Sequence, residues 1–204
     1  MTSIAGNIET MMRRRRIRFV IFGAVAAALW IMVGCTSVVR PPANVVDPQR
    51  VVLVFDARHR GLVLPREDGT WVEYGFGEYA WYAELRDAWY RVFPAMLWPT
   101  RGTLGRRELP TADPAESIPW ATLETLVVER ERALELRREL DARFDAREER
   151  VVRNSAYGID FVPDENDYWC FFNCSDAVTE WLRRLDCRVS WVPIRIDLAV
   201  ADSP

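Results

Sequence analysis

The first 35 residues differ in kind from the rest of the chain: they cannot join a water-soluble core, whereas the remaining residues can build one. Arg13 to Arg16 and Arg18 are followed by an uncharged apolar stretch, FVIFGAVAAALWIMVG, over Phe19 to Gly34. A basic start, an apolar run and small residues before a cysteine are typical of a bacterial secretory signal. We therefore expect residues 1–35 to direct export and to stay outside the folded domain.

The end of this stretch, Gly34-Cys35, resembles the lipobox of bacterial lipoproteins, although Met32 stands where leucine is usual. The resemblance implies that 1–35 is a lipoprotein signal peptide, that Cys35 is lipidated, and that the lipid anchors the protein to a membrane. The alternative is an uncleaved anchor, because Ile17 to Gly34 is just long enough to span a bilayer. In both cases we expect an exported protein in the bacterial cell envelope, with a lipidated form on the periplasmic face of the outer membrane.

The charge of the exported part limits its partners. Removing 1–35 takes away five arginines and Glu9 and leaves 22 basic and 29 acidic side chains, a net charge of −7. Nucleic acid is excluded as an expected partner, because a phosphate backbone needs a basic protein surface.

The rest of the chain has the size and composition of one domain. Three prolines predict a tether over 36–49. Residues 50–204 then form a single domain, for which nine Trp and nine Phe in the chain supply large buried areas.

Hydrophobic periodicity predicts an α+β domain with an antiparallel sheet packed against helices. Three short strands predict a meander with His59 near the start of its second strand. The predicted strands are Val51 to Phe55, Gly61 to Pro65, Gly69 to Gly77, Thr122 to Val128 and Cys187 to Leu198, and the predicted helices are Glu78 to Leu97 and Glu129 to Arg150.

The segment FFNCSDAVTEWLRRL predicts a capped helix whose first residue is Cys174. Asn173 is a preferred N-cap, and Asp176 stands where an acidic side chain can answer free backbone N–H groups. A thiol at this position meets the positive end of the helix dipole, which favours the thiolate. The N–H groups near Asn173 and Ser175 could stabilise an oxyanion. The alternative is that Asn173 is only a cap and Cys174 a small packed residue.

His59 is the single histidine, and an imidazole is the usual base for a cysteine nucleophile. If Cys35 is lipidated, three cysteines remain. In an oxidising compartment two of them can form a disulfide, and the third stays a free thiol. A Cys170–Cys187 bridge that leaves Cys174 as a thiol is one alternative. Three buried thiols are the other.

The runs HRGLVLP, GTWVEYGFGEYAWYA and NCSDAVTEWLRRLDCRV resemble the circularly permuted branch of the NlpC-like, papain-fold thiol superfamily. In that branch the histidine precedes the cysteine, as His59 precedes Cys174 here. The resemblance implies a permuted papain-like fold with Cys174 as the nucleophile and His59 as its general base. A polar residue on the following strand normally orients the imidazole; Glu73 is the best candidate and Glu78 a fallback.

The resemblance implies a thiol hydrolase or acyltransferase that acts on an amide or ester, with a peptidoglycan peptide or a lipid acyl group as substrate. Arg58 and Arg60 flank His59 and could bind an anionic group, while Trp71 and Tyr74 could line an acyl channel or belong to the core. We expect no cofactor and no metal, because the chain lacks a close Cys/His cluster. The alternative function is a non-catalytic envelope lipoprotein that uses the same fold as a binding or scaffold module.

Overall fold

The computed structural model of the chain describes residues 35–56, 59–86, 88, 92–155 and 158–201, together with the single positions 17, 19 and 23. The predicted signal segment therefore lies almost wholly outside the described residues. No helix within the described residues is long and apolar enough to cross a bilayer.

The described chain is an α+β structure with a large antiparallel sheet and few helices, which confirms the predicted class. Its strands are β1 (Thr36–Arg40), β2 (Pro48–Asp56), β3 (His59–Pro65), β4 (Trp71–Glu78), β5 (Thr100–Leu109), β6 (Thr122–Glu129), β7 (Val152–Asn154), β8 (Ile159–Tyr168), β9 (Arg188–Val189) and β10 (Asp197–Val200). Its helices are α1 (Tyr79–Tyr82), α2 (Val92–Leu97), α3 (Pro114–Ser117), α4 (Arg130–Asp145) and α5 (Cys174–Arg184), with a 3-10 turn at Glu148–Arg150.

Seven strands form the main sheet in the order β6-β2-β3-β4-β5-β8-β7, and every neighbouring pair is antiparallel. The predicted meander is confirmed as β2-β3-β4, and His59 is the first residue of its second strand. The register aligns Gly61 with Gly75, Gly75 with Gly105, and Gly105 with Phe161. Three glycines therefore lie side by side across the middle of the sheet.

The alternation of side chains along β3 assigns its residues to two different faces of the sheet. Leu62 and Leu64 belong to the main core under α4 and α5. Val63 belongs to a second core cluster on the other face, which contains Ile118 from the segment after α3. His59 has the same phase as Val63 and so lies on the face opposite α5.

The predicted tether over 36–49 is wrong for its first five and its last two residues, which are strands. β1 pairs in parallel with β10 and antiparallel with β9, and its alternation buries Ser37 and Val39. Pro48 is the first residue of β2, a position where proline is tolerated in a strand. The folded domain therefore begins directly after Cys35.

Two longer predicted elements are interrupted. Within the described residues, the predicted helix from Glu78 to Leu97 is present as α1 and α2, and Leu85 between them has a φ of 55°, which a helix cannot contain. The predicted closing strand splits into β9 and β10 around a segment that includes Pro193. β6 is confirmed as a strand and α4 as a helix, with a buried stripe of Ala133, Leu136, Leu140 and Phe144.

Helix α5 has the predicted cap. The side chain of Asn173 accepts a hydrogen bond from the Ser175 amide at 2.9 Å, and the Asn173 amide donates to Asp176 Oδ2 at 3.2 Å. Asn173 Nδ2 also donates to the Arg195 carbonyl at 2.7 Å. One side chain therefore fixes the start of α5 and joins it to the segment before β10.

We expect Asn173→Ala to lower the free energy of unfolding by about 2 kcal/mol, because it removes the cap and leaves a buried carbonyl without its donor. Asn173→Ser keeps the cap and loses only the bond to Arg195, so its loss should be about half as large. Denaturant unfolding of the full chain in mild detergent measures both. A wild-type midpoint for Asn173→Ala would show that this cap does not hold α5.

Candidate functional site

A cleft of about 910 Å³ opens on the sheet face opposite α4 and α5. Its floor comes from the end of β2, the start of β3 and β5, and its walls come from α1, the segment around α3, and the start of β8. The lining residues are Asp56, His59, Tyr82, Arg107, Glu108, Leu109, Pro110, Ser117, Trp120, Ser155, Gly158, Ile159 and Phe161.

The row of glycines makes room for the aromatic rings in this cleft. A Cβ added to Gly75 would overlap the imidazole of His59, and one added to Gly105 would lie 2.7 Å from the Phe161 ring. A Cβ on Gly61 would lie 2.8 Å from Glu73 Oε1. The imidazole and the Glu73 carboxylate therefore lie directly against the backbone of the sheet. Three glycines in paired strands are a signal that the sequence analysis missed, because their alignment depends on strand register.

His59, Glu73 and Arg107 form the polar centre at the cleft: His59 and Arg107 line it, and the fully buried Glu73 lies behind them. Arg107 donates from Nε and Nη2 to Glu73 Oε2 at 2.8 and 2.5 Å. Glu73 Oε1 is 4.0 Å from His59 Nε2, which is too long for a hydrogen bond. The predicted proximity of Glu73 to His59 is therefore present, but the hydrogen bond that would orient the imidazole is not.

Three buried polar atoms face this centre with no hydrogen-bond partner among the described residues: Glu73 Oε1 and the two ring nitrogens of His59. The side chains are 0% and 13% exposed. Buried polar atoms are nearly always hydrogen-bonded in native proteins, because an unsatisfied one loses the full energy of hydration. These atoms are therefore the strongest indication of a ligand position in the described chain.

Burial controls the protonation of the pair. Burial and, to a smaller extent, the Arg107 charge lower the pKa of His59 to about 4, whereas Asp56 opposes the shift. Burial raises the pKa of Glu73, and the charge and hydrogen bonds of Arg107 oppose that rise. At neutral pH His59 is therefore an uncharged imidazole beside an ion-paired carboxylate.

The structure places Cys174 and His59 on opposite faces of the sheet, so it does not form the predicted catalytic pair. α5 packs on the face that carries Leu62 and Tyr74, whereas the imidazole lies on the opposite face. Cys174 is not among the residues that line the cleft. The physical reason is the alternation of side chains along β3. The Arg60 amide contacts the Cys174 thiol, but the side chain of His59, one residue earlier, lies on the opposite face of the sheet.

The environment of Cys174 does not activate its thiol. Burial raises the pKa of Cys174, and the opposing effects of Arg60 and of the Ser175 amide are smaller. Burial also raises the pKa of the neighbouring Tyr168, with a smaller contribution from Cys174, and the Tyr168 ring stacks 6.0 Å from that of Phe76. The predicted position at the first residue of the helix is correct, but there burial outweighs the helix dipole.

The predicted oxyanion residues are engaged in the fold. The Ser175 amide donates to Asn173 Oδ1 at 2.9 Å, and Ser175 Oγ donates to the Ile196 carbonyl at 3.0 Å. Glu78, the fallback partner for His59, instead caps α1 by accepting from the Trp81 amide at 2.6 Å. All three therefore have structural bonds in place of the predicted contacts.

The predicted substrate-binding residues are also structural where they are described. Arg60 pairs with Asp197 at 2.8 Å. Trp71 is buried and donates from Nε1 to the Ala112 carbonyl at 3.0 Å, and Tyr74 is buried and donates to Asp141 at 2.6 Å. Arg58 lies outside the described residues.

The cysteines form no disulfide, and all four lie in the described part of the chain. Burial raises the pKa of Cys187 to about 12, so it is a core thiol. Cys35 is 3% exposed, and its carbonyl accepts from the amides of Ile196 and Asp197. A diacylglyceryl group on Cys35 therefore requires a change in its local packing.

We expect the stability of the chain to fall between pH 7 and pH 5 because of His59. The unfolded imidazole binds a proton below pH 6.5, while the folded one resists protonation down to about pH 4. This stabilisation is present above pH 6.5 and should decrease by about 2 kcal/mol by pH 5. Unfolding curves at both pH values should show the decrease in the wild type and a flatter profile in His59→Gln; parallel profiles would contradict the assignment.

We expect the reactivity of Cys174 to be independent of His59, because the two side chains lie on opposite faces of the sheet. Labelling with iodoacetamide at pH 8, followed by peptide mass spectrometry, should give Cys174 rates within about twofold in wild type and His59→Ala. Cys174→Ser identifies the peptide. A tenfold slower rate in His59→Ala would restore the predicted pair.

Comparison of the chain with protein-family models, with curated proteins and with solved structures returned no match. The function of the cleft is therefore argued from its own geometry and chemistry.

Proposed function

We propose that this protein is a membrane-attached binding module of the cell envelope, and that the His59 cleft takes a small uncharged ligand with hydrogen-bond donors and an apolar face. The observation that carries the proposal is a set of buried polar atoms with no partner among the described residues: both ring nitrogens of His59, which lines the cleft, and Glu73 Oε1 directly behind it.

The polarity of these atoms specifies the ligand. An ionised carboxylate only accepts hydrogen bonds, and a neutral imidazole offers one donor and one acceptor. Glu73 and His59 together therefore present two acceptors and one donor. A hydroxyl or amide N–H group on the ligand would complement them.

The charge in the cleft disfavours anions. The ion pair with Arg107 neutralises Glu73, and His59 is uncharged at neutral pH. Asp56 on the cleft wall adds a negative charge. A carboxylate or phosphate would therefore be repelled. The cation of this polar centre, Arg107, is already paired with Glu73.

Aromatic side chains supply the apolar contact. The Trp120 ring is 62% exposed and lies 5.3 Å from the Arg107 guanidinium, and the Tyr82 ring is 5.9 Å from the imidazole. A cleft with apolar walls and a few polar groups is the usual form of a small-molecule site, and its volume suits a ligand such as a disaccharide. Sugar rings combine hydroxyl donors with an apolar face, so a neutral saccharide is the class we favour.

Export and membrane attachment rest on the sequence. The basic residues before an apolar stretch that ends at Gly34-Cys35 support a signal with lipidation of Cys35, or an uncleaved anchor. Kinship with the permuted papain-like fold is supported only by element order, because the histidine strand precedes the cysteine helix.

Thiol hydrolase or acyltransferase activity has one supporting observation, which is that Cys174 begins a capped helix. His59 lies on the other face of the sheet, and burial raises the pKa of the thiol. Attack on an amide or ester would therefore need a base other than His59, so the binding function has the better support.

Titration of the full chain in detergent with N,N′-diacetylchitobiose tests the proposal. We expect a saturable change in tryptophan fluorescence that Trp120→Ala weakens about fivefold, because an exposed ring contributes contact area without holding the fold. Glu73→Gln should weaken binding by at least about tenfold through loss of a charged acceptor.

Cys174→Ala is the matched control and should bind as the wild type does, because it changes the opposite face. Equal affinity in wild type, Trp120→Ala and Glu73→Gln, or no saturation by the saccharide, would contradict the proposed ligand. Hydrolysis of p-nitrophenyl butyrate that requires both Cys174 and His59 would establish the thiol enzyme instead.

A further inference from the structure

Exposed apolar side chains gather near the point where the chain enters the fold. Five of them define what we call the entry face: Leu97, Trp98, Phe171, Trp191 and Ile196. Trp191 and Trp98 are 78% and 68% exposed. Large aromatic rings exposed together indicate an interaction surface, whereas apolar residues scattered singly need no explanation.

Backbone contacts connect these residues to Cys35. The Ile196 amide donates to the Cys35 carbonyl at 2.9 Å, and the Ser190 amide, next to Trp191, donates to the Val38 carbonyl at 3.0 Å. The loop that carries Trp191 and Ile196 therefore runs beside the first residues of β1.

A second set of contacts extends the entry face from this loop. Asn173 Nδ2 donates to the Arg195 carbonyl at 2.7 Å, which places Phe171 two residues from that contact. The Cys170 amide donates to the Met96 carbonyl at 3.2 Å, which brings Leu97 and Trp98 beside Phe171. These hydrogen bonds therefore join the three segments that carry the entry face to one another and to Cys35.

The chain leaves no slack between the apolar stretch and the entry face. Phe19 to Gly34 ends directly before Cys35, and β1 begins at Thr36. An extended tether over 36–49 would have allowed the domain to stand roughly 45 Å from the membrane. Without that tether, a bilayer that holds the apolar stretch or a lipid on Cys35 must lie against the residues around Cys35.

We propose that the entry face docks on the lipid bilayer, with Trp98 and Trp191 in the headgroup layer. Tryptophan is enriched at membrane–water interfaces because its ring is apolar and its N–H group is polar. This inference rests on the membrane attachment proposed above and adds an orientation to it. The membrane contact does not extend to the cleft. Arg107, which lies beside Trp120, is seven residues along β5 from Thr100, a distance of roughly 20 Å.

Fluorescence quenching in vesicles tests the docking. The full chain is reconstituted into vesicles of phosphatidylcholine and phosphatidylglycerol whose acyl chains carry bromine near the headgroups. Trp98→Phe and Trp191→Phe should each lose part of the quenched tryptophan signal relative to wild type. Trp120→Phe is the matched control, because Trp120 is also exposed but lies in the cleft, and it should keep the quenched signal unchanged.

Three outcomes would overturn the docking. If the chain sediments with vesicles but all three variants keep the wild-type quenched signal, the attachment stands and the docked orientation is wrong. If the chain does not sediment with vesicles, the attachment and the docking both fall. If the chain dimerises in detergent and Trp98→Phe or Trp191→Phe abolishes the dimer, the entry face binds a second copy instead of lipid.

Discussion

The ion pair between Arg107 and Glu73 is the interaction on which the cleft depends. Glu73 is completely buried, and a buried carboxylate without a partner would lose several kcal/mol of hydration energy. Arg107 comes from the neighbouring strand at the directly paired position, so strand register alone brings the two charges together. Because both Arg107 contacts go to Oε2, the other carboxylate oxygen stays directed toward His59. Burial is the main reason that the pKa of His59 is lowered, and the Arg107 charge adds to it.

Local sequence patterns predict the features that local chemistry determines. The cap at Asn173, the start of α5 at Cys174 and the buried stripe of α4 depend on residues within a few positions of one another, and each agrees with the structure. The meander is also predicted, because three strands in succession with short connections pair with their neighbours. The tether over 36–49 fails because β1 is stabilised by β9 and β10, which come about 150 residues later.

The candidate site is harder to predict because it depends on phase and register. His59 is correctly expected on β3 and near Glu73, but a shift of one residue decides which face a side chain occupies. Cys174 contacts the amide of Arg60, the residue that follows His59, yet the two predicted partners lie on opposite faces of the sheet. Arg107 and the glycine row have no local signature, since each acquires its meaning only when β4 and β5 are aligned.

The sheet also relates the two proposed surfaces. β5 begins beside the entry face at Thr100 and carries Arg107 toward its other end, so one strand of the main sheet spans the distance between the proposed membrane contact and Trp120. A domain on a flexible tether would turn its cleft in every direction relative to the bilayer. A domain held at Cys35 would keep the cleft and Trp120 in one orientation. The proposed attachment without slack would restrict the ligands of the cleft to those on the aqueous side, a short and constant distance from the bilayer.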